Sequence, residues 1–262
     1  MDKKVGEYKV LNRIYNEDCF ETMERLVNCV DVVLTSPPYN MTKRKGGISD
    51  SGRYDLYNDW LEEADYLDFT KNLFCGFDKI LKQNKVVLYN FSYSIENPSL
   101  PYKLVAHIEK NTPFKLVDTI IWKKKSGLPF PANKRRLSRN WEFVFVFCRK
   151  SDVDTFDIYK PISSISEKTN QKYYKVFYNF IEAKNNDEIC PHNQATYSSE
   201  LCTHLLSIYS TDGDICYDPF IGSGTTAVAC KKLGISYIGS EISKNQCEWA
   251  EKRLVCASVE GG

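Results

Sequence analysis

Two stretches of this sequence, far apart along the chain, carry side chains able to do chemistry. The first is VDVVLTSPPYN, residues 30–40. An apolar, β-branched run reads as a buried strand and stops abruptly at Ser36-Pro37-Pro38-Tyr39. Proline lacks an N–H and locks φ, so the strand cannot continue. Its tip is left holding a hydroxyl, rigid carbonyls and an aromatic ring. Those are the parts needed to hold a planar amine. An exocyclic amino group on a base is a poor nucleophile, because its lone pair is delocalised into the ring. Hydrogen bonds from its two N–H groups to Ser36 Oγ and the Pro37 carbonyl draw the nitrogen toward a tetrahedral shape, with Tyr39 stacked on the base. The lone pair then points at a donor carbon, and the acceptors need no reorganisation at the moment of transfer. The plain alternative is a Pro-Pro loop that only terminates a strand.

The second stretch is YDPFIGSGTTAVAC, residues 217–230. A strand ends, Gly222 and Gly224 permit a tight turn, and Thr225 and Thr226 open a helix. By this layout α/β folds bring main-chain N–H groups close to a ligand. About twenty residues on, the next strand ends in Glu241, whose carboxylate can accept two hydrogen bonds from a ribose diol. The spacing points to a nucleoside-bearing cofactor; a tight strand-to-helix connection without a ligand is the competing reading. No Lys-Ser/Thr follows the second glycine, so this is not a Walker A loop. The third glycine of the dinucleotide fingerprint falls on Ala227, which disfavours nicotinamide.

The elements that must position these stretches alternate. Strands are expected at residues 9–15, 31–35, 85–91, 115–122, 141–149, 214–220 and 236–241. Helical spacing is expected at residues 16–26, 60–81, 198–210, 225–233 and 244–255. In the longest of these, Leu61, Ala64, Leu67, Leu73, Phe77 and Leu81 lie on or near one face. The run WEFVFVFCR at 141–149 is nearly all apolar, as in a strand buried on both faces. Strands separated by helices predict an α/β fold, a Rossmann-like mostly parallel sheet with helices on both faces. Strand ends on one side of such a sheet share a crevice, so Ser36 to Tyr39 and the turn at 220–226 are expected to face each other. Residues 151–186 differ: Lys, Asn, Ser and Tyr dominate without a clean period, as in a recognition insert or flap. Three parts are expected: a catalytic half at 1–150 with basic loops, the insert at 151–186, and a cofactor-binding half at 187–262.

Composition sets the outer limits. The chain has 262 residues, 42% of them hydrophobic, enough for one large domain or a domain with a small insert. The net charge is +1, so a nucleic-acid partner has to be met by local basic patches. The ten cysteines form no C-x-x-C pair. Cys75, Cys148, Cys216 and Cys230 sit in apolar runs and are expected as buried free thiols of a reducing compartment, with no metal. Cys190/His192 and Cys202/His204 are isolated metal-like pairs. The N-terminus has no apolar h-region and no later run is long enough to span a bilayer, so a cytoplasmic protein is expected, with no membrane partner.

TSPPYN together with DPFIGSGTT resembles the S-adenosylmethionine-dependent DNA amino-methyltransferases, which methylate N4 of cytosine or N6 of adenine and share an Asp/Asn/Ser-Pro-Pro-Tyr/Phe motif. The resemblance covers most of the chain. NEDCFETM is similar to the family's short motif whose aspartate, here Asp18, meets the cofactor adenine. WEFVFVFCRK resembles the strand that follows the target-base pocket. Residues 195–201 look like the helix flanking the cofactor, with Ser198 where proline is usual. The catalytic motif comes first and the glycines last, a permuted order similar to the β subgroup. The resemblance implies Ser36, Pro37, Pro38 and Tyr39 as catalytic residues. It implies Asn16, Asp18, Ser36, Asp218, Phe220, Gly222, Gly224, Thr225, Thr226 and Glu241 as the S-adenosyl-L-methionine site.

Double-stranded DNA with its target base flipped out is then the expected partner, because an amino group inside a duplex is out of reach. Lys43, Arg44 and Lys45 follow the catalytic tip directly; Lys123, Lys124, Lys125, Lys134, Arg135, Arg136 and Arg139 lie in WKKKSG and NKRRLSRNW. All are expected to meet phosphates, although a Lys/Arg cluster is often only a solvated face. In the family, Ser-Pro-Pro-Tyr is usual for cytosine N4 and Asp-Pro-Pro-Tyr for adenine N6, so cytosine N4 is the expectation and adenine N6 the alternative. A cytosine C5 enzyme needs a cysteine nucleophile, typically in a Pro-Cys pair, and the sequence has none. A nicotinamide oxidoreductase, a non-catalytic DNA-binding module, and methylation of RNA or a protein amide remain as other readings. By analogy with the subgroup, the chain is expected in bacterial or phage restriction-modification, and a homodimer is possible.

Overall fold

The computed structural model describes residues 4–5, 8–9, 11–40, 61–94, 96–126, 135, 137–187 and 196–256. Its centre is an eight-stranded sheet. In chain order its strands are β3 (Arg13–Tyr15), β4 (Val30–Thr35), β5 (Leu81–Phe91), β6 (Phe114–Lys124), β7 (Trp141–Arg149), β10 (Phe180–Ala183), β11 (Ile215–Asp218) and β12 (Ser236–Ser240). Two hairpins stand apart from it: β1 (Lys4–Val5) with β2 (Tyr8–Lys9), and β8 (Ile162–Ile165) with β9 (Lys172–Tyr174). The spatial order is β10-β6-β7-β5-β4-β11-β12-β3. All neighbours pair in parallel except β7, which runs antiparallel between β5 and β6. The expected Rossmann-like α/β fold is the observed one.

Among the described residues, six helices cover the sheet: α1 (Cys19–Arg25), α2 (Glu63–Ile80), α3 (Leu100–Asn111), α4 (Ser199–Tyr209), α5 (Thr225–Lys232) and α6 (Lys244–Cys256). One buried layer joins Val32 and Leu34 of β4 to α4, α5 and α6. The other joins Val33 to α1, α2 and α3. The β-branched run is therefore buried on both faces, as parallel strands under crossover helices must be. Phe74 of α2 centres the second layer, with its ring 5.2, 5.6, 5.3 and 5.0 Å from those of Phe77, Tyr89, Phe114 and Phe147.

From β4 the chain crosses by α2 to β5 on one side. From β11 it crosses by α5 to β12 on the other. Because β4 and β11 are neighbours, strand order reverses between them, and a crevice opens at their carboxyl ends.

The structure corrects several expectations. The strand at 9–15 is interrupted by Asn12, whose φ of 64° is left-handed. The first helix begins later, with Asp18 as its N-cap. In α2 the buried stripe is Tyr66, Thr70, Leu73, Phe74, Phe77 and Ile80; Leu61 and Ala64 are exposed and Leu67 half-buried. Cys75 is exposed, whereas Cys148, Cys216 and Cys230 are buried. Helix α3 was not expected, although Leu100, Leu104 and Ile108 recur at helical spacing and Pro101 sits in its first turn. Within residues 151–186, β10 pairs with β6 at the sheet edge.

Candidate active site

The two chemically rich stretches meet at the β4/β11 junction. Val33 lies opposite Tyr217 in the parallel register, so both strands end at one level. Beyond it, Thr35 Oγ1 donates to Asp218 Oδ1 at 2.8 Å across 183 positions of sequence. Asp218 is 1% exposed and takes three further donors. Phe220 N lies at 3.0 Å, Thr226 Oγ1 at 2.6 Å and Tyr197 Oη at 3.3 Å. Burial pushes the Asp218 carboxyl up, and these donors offset part of that rise. Its carboxylate is thus an internal tie between the tip, the glycine turn and α5.

At the tip, Pro37 and Pro38 are buried and Ser36 and Tyr39 half-buried. Ser36 Oγ and Tyr39 Oη are 2.8 Å apart. Tyr39 Oη also lies 2.8 Å from Asn90 Oδ1 and 3.0 Å from Glu142 Oε2. Asn90 Nδ2 donates to the Phe143 carbonyl at 2.8 Å, which turns its Oδ1 toward Tyr39. Lys124 Nζ meets Glu142 Oε1 at 2.5 Å. Tyr66 of α2 donates to the Pro38 carbonyl at 2.6 Å and holds the second proline down. Beside the tip, Asn40, at φ 53°, bonds the backbone of Leu61 through both its amide atoms, at 2.9 and 2.6 Å.

The glycine turn is braced from several sides. Gly224 has φ 82°, and a Cβ there would stand 2.9 Å from that of Ala250. A Cβ on Gly239 would strike Ile221 at 2.3 Å, so β12 can pass the turn this closely only with glycine. Glu241, just past β12, accepts from Gly222 N at 3.1 Å and Ser243 N at 2.8 Å. Asn16 Nδ2 donates to the Glu241 and Ile242 carbonyls, both at 2.9 Å, and so fixes the chain around Glu241. Asp18 is exposed and caps α1 through Phe20 N at 2.8 Å. Arg253 reaches the Ser223 carbonyl at 3.2 Å, Thr225 Oγ1 at 3.0 Å and Asp187 at 2.6 Å. Thr225 and Thr226 are buried.

A row of rings links turn and tip. Tyr39 contacts Phe91 (5.2 Å), Phe91 contacts Tyr66 (6.2 Å), and Tyr66 contacts Phe69 (6.3 Å). Phe69 in turn meets Phe220 at 6.1 Å and Phe20 at 6.2 Å. Phe20, Phe69 and Phe220 are half-buried. A carboxylate, turned-in backbone and half-buried rings together suit a nucleoside: the acid for a diol, the rings for a planar base. Sequence reading missed Asn90, Glu142, Tyr66, Phe69 and Arg253. Glu142 and Asn90 had a signal, since each is a lone polar group in an otherwise apolar run.

Among the described residues, the basic side chains do not form one bare patch. Lys123 pairs with Glu182 at 2.7 Å, Lys124 with Glu142, and Lys125 with Glu200 at 2.6 Å. Arg139 donates to the Tyr93 carbonyl, and its guanidinium lies 4.6 Å from the Tyr93 ring centroid. Arg135 is exposed. Lys43, Arg44, Lys45, Lys134 and Arg136 lie outside the described residues, as do Cys190 and His192. Among the described residues, no group of three His, Cys, Asp or Glu side chains could hold a metal ion. No helix among them is long and apolar enough to cross a membrane.

The profile of a family described as DNA methylase matches residues 30–252. The chain is 26% identical to the type II methyltransferase M.HpaI of Haemophilus parainfluenzae, over 87% of this chain and 68% of that protein. It is also 26% identical to the type II methyltransferase M.HinfI of Haemophilus influenzae, over 97% of this chain and 70% of that one. Its fold is that of the PvuII DNA methyltransferase, described as cytosine-N4-specific, with a TM-score of 0.69 and 19% identity over 92% of this chain and 85% of that one. A complex of M1.HpyAVI with SAM is similar at TM-score 0.61 and 23% identity, over 92% and 98%.

Proposed function

The chain belongs to the DNA methylase family of N6- and N4-amino methyltransferases, and from that premise we propose that it methylates the N4 amino group of a flipped cytosine at a specific DNA sequence. The observation that carries this reading is the Thr35–Asp218 hydrogen bond, which sets the Ser-Pro-Pro-Tyr tip beside the glycine turn. S-adenosyl-L-methionine, when bound, supplies an electrophilic methyl on sulfonium. Glu241 is oriented to accept the ribose diol, and Asp18, Phe20, Phe69 and Phe220 line the side where its base is held. The backbone from Phe220 to Thr226, with Gly222 and Gly224, cradles the remainder. Asn16 and Asp218 serve this site with side chains that hold its parts together rather than contact the cofactor.

On the target side, Ser36 Oγ and the Pro37 carbonyl accept the two N–H groups of the amine, and Tyr39 stacks on the base. Ser36 at the first motif position supports cytosine N4 over adenine N6. Nucleosides from DNA treated with the protein and methyl-labelled cofactor should contain labelled N4-methylcytosine by mass spectrometry. Labelled N6-methyladenine would move the assignment to adenine, and no labelled nucleoside would overturn the reading.

Replacing Glu241 with alanine should weaken cofactor binding roughly 10–100-fold, the range of a lost hydrogen bond to a charged group. Calorimetry with the cofactor alone checks this; unchanged affinity would remove Glu241 from the site.

The β8/β9 hairpin is the part of residues 151–186 suited to reading DNA. Ile162 faces Tyr174 and Ile165 faces Lys172 in its register. Every residue of both strands is exposed. Isolated two-stranded ribbons are marginal in water, and the major groove admits one. Lys168 and Lys172 are exposed and make no ion pair among the described residues. Replacing both with alanine should lower DNA affinity and reduce the slope of log K against log salt by about two. An unaltered slope would place the phosphate contacts elsewhere.

A further inference from the structure

We propose that Glu142 is the terminal proton acceptor of the reaction, reached from the target amine through the hydroxyls of Ser36 and Tyr39; this rests on the methyl-transfer reading above. The directions of the hydrogen bonds carry it. Asn90 Nδ2 is committed to the Phe143 carbonyl, so its Oδ1 faces Tyr39 and can only accept. An ionised Glu142 can likewise only accept. Tyr39 therefore gives its single hydrogen to this pair, and its oxygen accepts from Ser36 Oγ, 2.8 Å away. With its own hydrogen spent on Tyr39, Ser36 can present only lone pairs to an incoming amine. The network thus sets Ser36 as an acceptor before any base arrives.

The same chain of bonds carries a proton out. When the amine nitrogen bonds the methyl carbon, the carbon–sulfur bond breaks with both electrons on sulfur, and the nitrogen holds four bonds and a positive charge. One N–H bond then breaks and its electron pair returns to nitrogen. That proton goes to Ser36 Oγ, the Ser36 hydrogen passes to Tyr39 Oη, and the Tyr39 hydrogen passes to Glu142 Oε2 at 3.0 Å. The products are a neutral methylated amine and a protonated Glu142. Resetting follows by loss of that proton to solvent, which reaches the Glu142 side chain at 13% exposure. The groups facing Glu142 among the described residues are Lys124 from β6, Tyr39 from the tip and the neutral Asn90 from β5.

Because Glu142 acts through Ser36 and Tyr39, its test is the pH profile of single-turnover methyl transfer. The wild-type rate should fall on the acid side as Glu142 takes a proton from solution. E142Q should transfer about 10²-fold more slowly and lose that acid limb, whereas E142D should restore it. Y39F breaks the relay while leaving Glu142 and Lys124 paired, and it should lose the limb as well. An infrared titration of the protein alone should show a carboxylate band, absent in E142Q, with the midpoint of the limb. An E142Q enzyme that keeps the wild-type limb would overturn the proposal while leaving the methyl-transfer reading intact. If E142Q does not fold, a Y39F enzyme that keeps the limb overturns it equally. A wild-type protein that labels no DNA would overturn both.

Discussion

A Ser36→Ala enzyme is expected to show a kcat about 10²–10³-fold below wild type with unchanged affinity for S-adenosyl-L-methionine. Ser36 Oγ is held by Tyr39 at the tip, whereas the proposed cofactor side is Glu241, the glycine turn and the Phe20–Phe69–Phe220 rings. Removing the hydroxyl takes away an acceptor whose bond strengthens as the amine nitrogen becomes tetrahedral and positive. It removes nothing from the diol or base contacts. The expected signature is therefore a loss in kcat and in kcat/KM for DNA, with the calorimetric Kd for the cofactor intact. Equal losses of turnover and cofactor affinity would show that Ser36 belongs to the cofactor pocket instead.

The second large effect is on the fold. Asp218→Ala should lower stability by on the order of 3 kcal/mol, because it strands the Thr35, Thr226 and Tyr197 hydroxyls and the Phe220 N–H in a buried place. Asp218→Asn should be far milder, since three of those four donors are hydroxyls that can rotate to accept. The two variants also differ from wild type in pH dependence. Burial raises the folded pKa of Asp218 above its ordinary value, so the folded chain holds that proton longer than the unfolded chain. Stability on this account is complete below the ordinary aspartate range and is lost as pH rises through the raised value. Wild type should therefore lose Tm more steeply than Asp218→Asn as pH rises from the ordinary aspartate range through the raised value. Parallel Tm curves for the two proteins would mean that Asp218 does not carry the burden assigned to it.

The sheet and both chemical stretches are legible in the sequence because they rest on local rules. Strand β4 reads from its β-branched run and stops at Pro37 because proline has no N–H to give. Helix α5 reads from the glycines that precede it. Local pattern does not encode contacts made at long range. Residues 180–183 are short and polar in context, yet pair with β6 at the sheet edge. Lys123, Lys124 and Lys125 read as a basic run, but each finds a carboxylate distant in sequence.

What the residues alone determined was the chemistry on offer: two acceptors and a ring at a strand tip, and a glycine turn followed by an acid at the next strand end. Residue type and spacing suffice for that, since proline, glycine and β-branched side chains act on their own backbone. Only the tertiary structure decided which of those groups are tied up in holding the others in place. Asp218 turned inward because four donors, Thr35 from a distant strand among them, surround it, and Asn16 is held by two carbonyls of a distant segment. Glu142 joined the Ser-Pro-Pro-Tyr tip because an antiparallel β7 runs beside β5 and lays its carboxylate against Tyr39. Such assignments depend on long-range packing, and no stretch of one strand contains them.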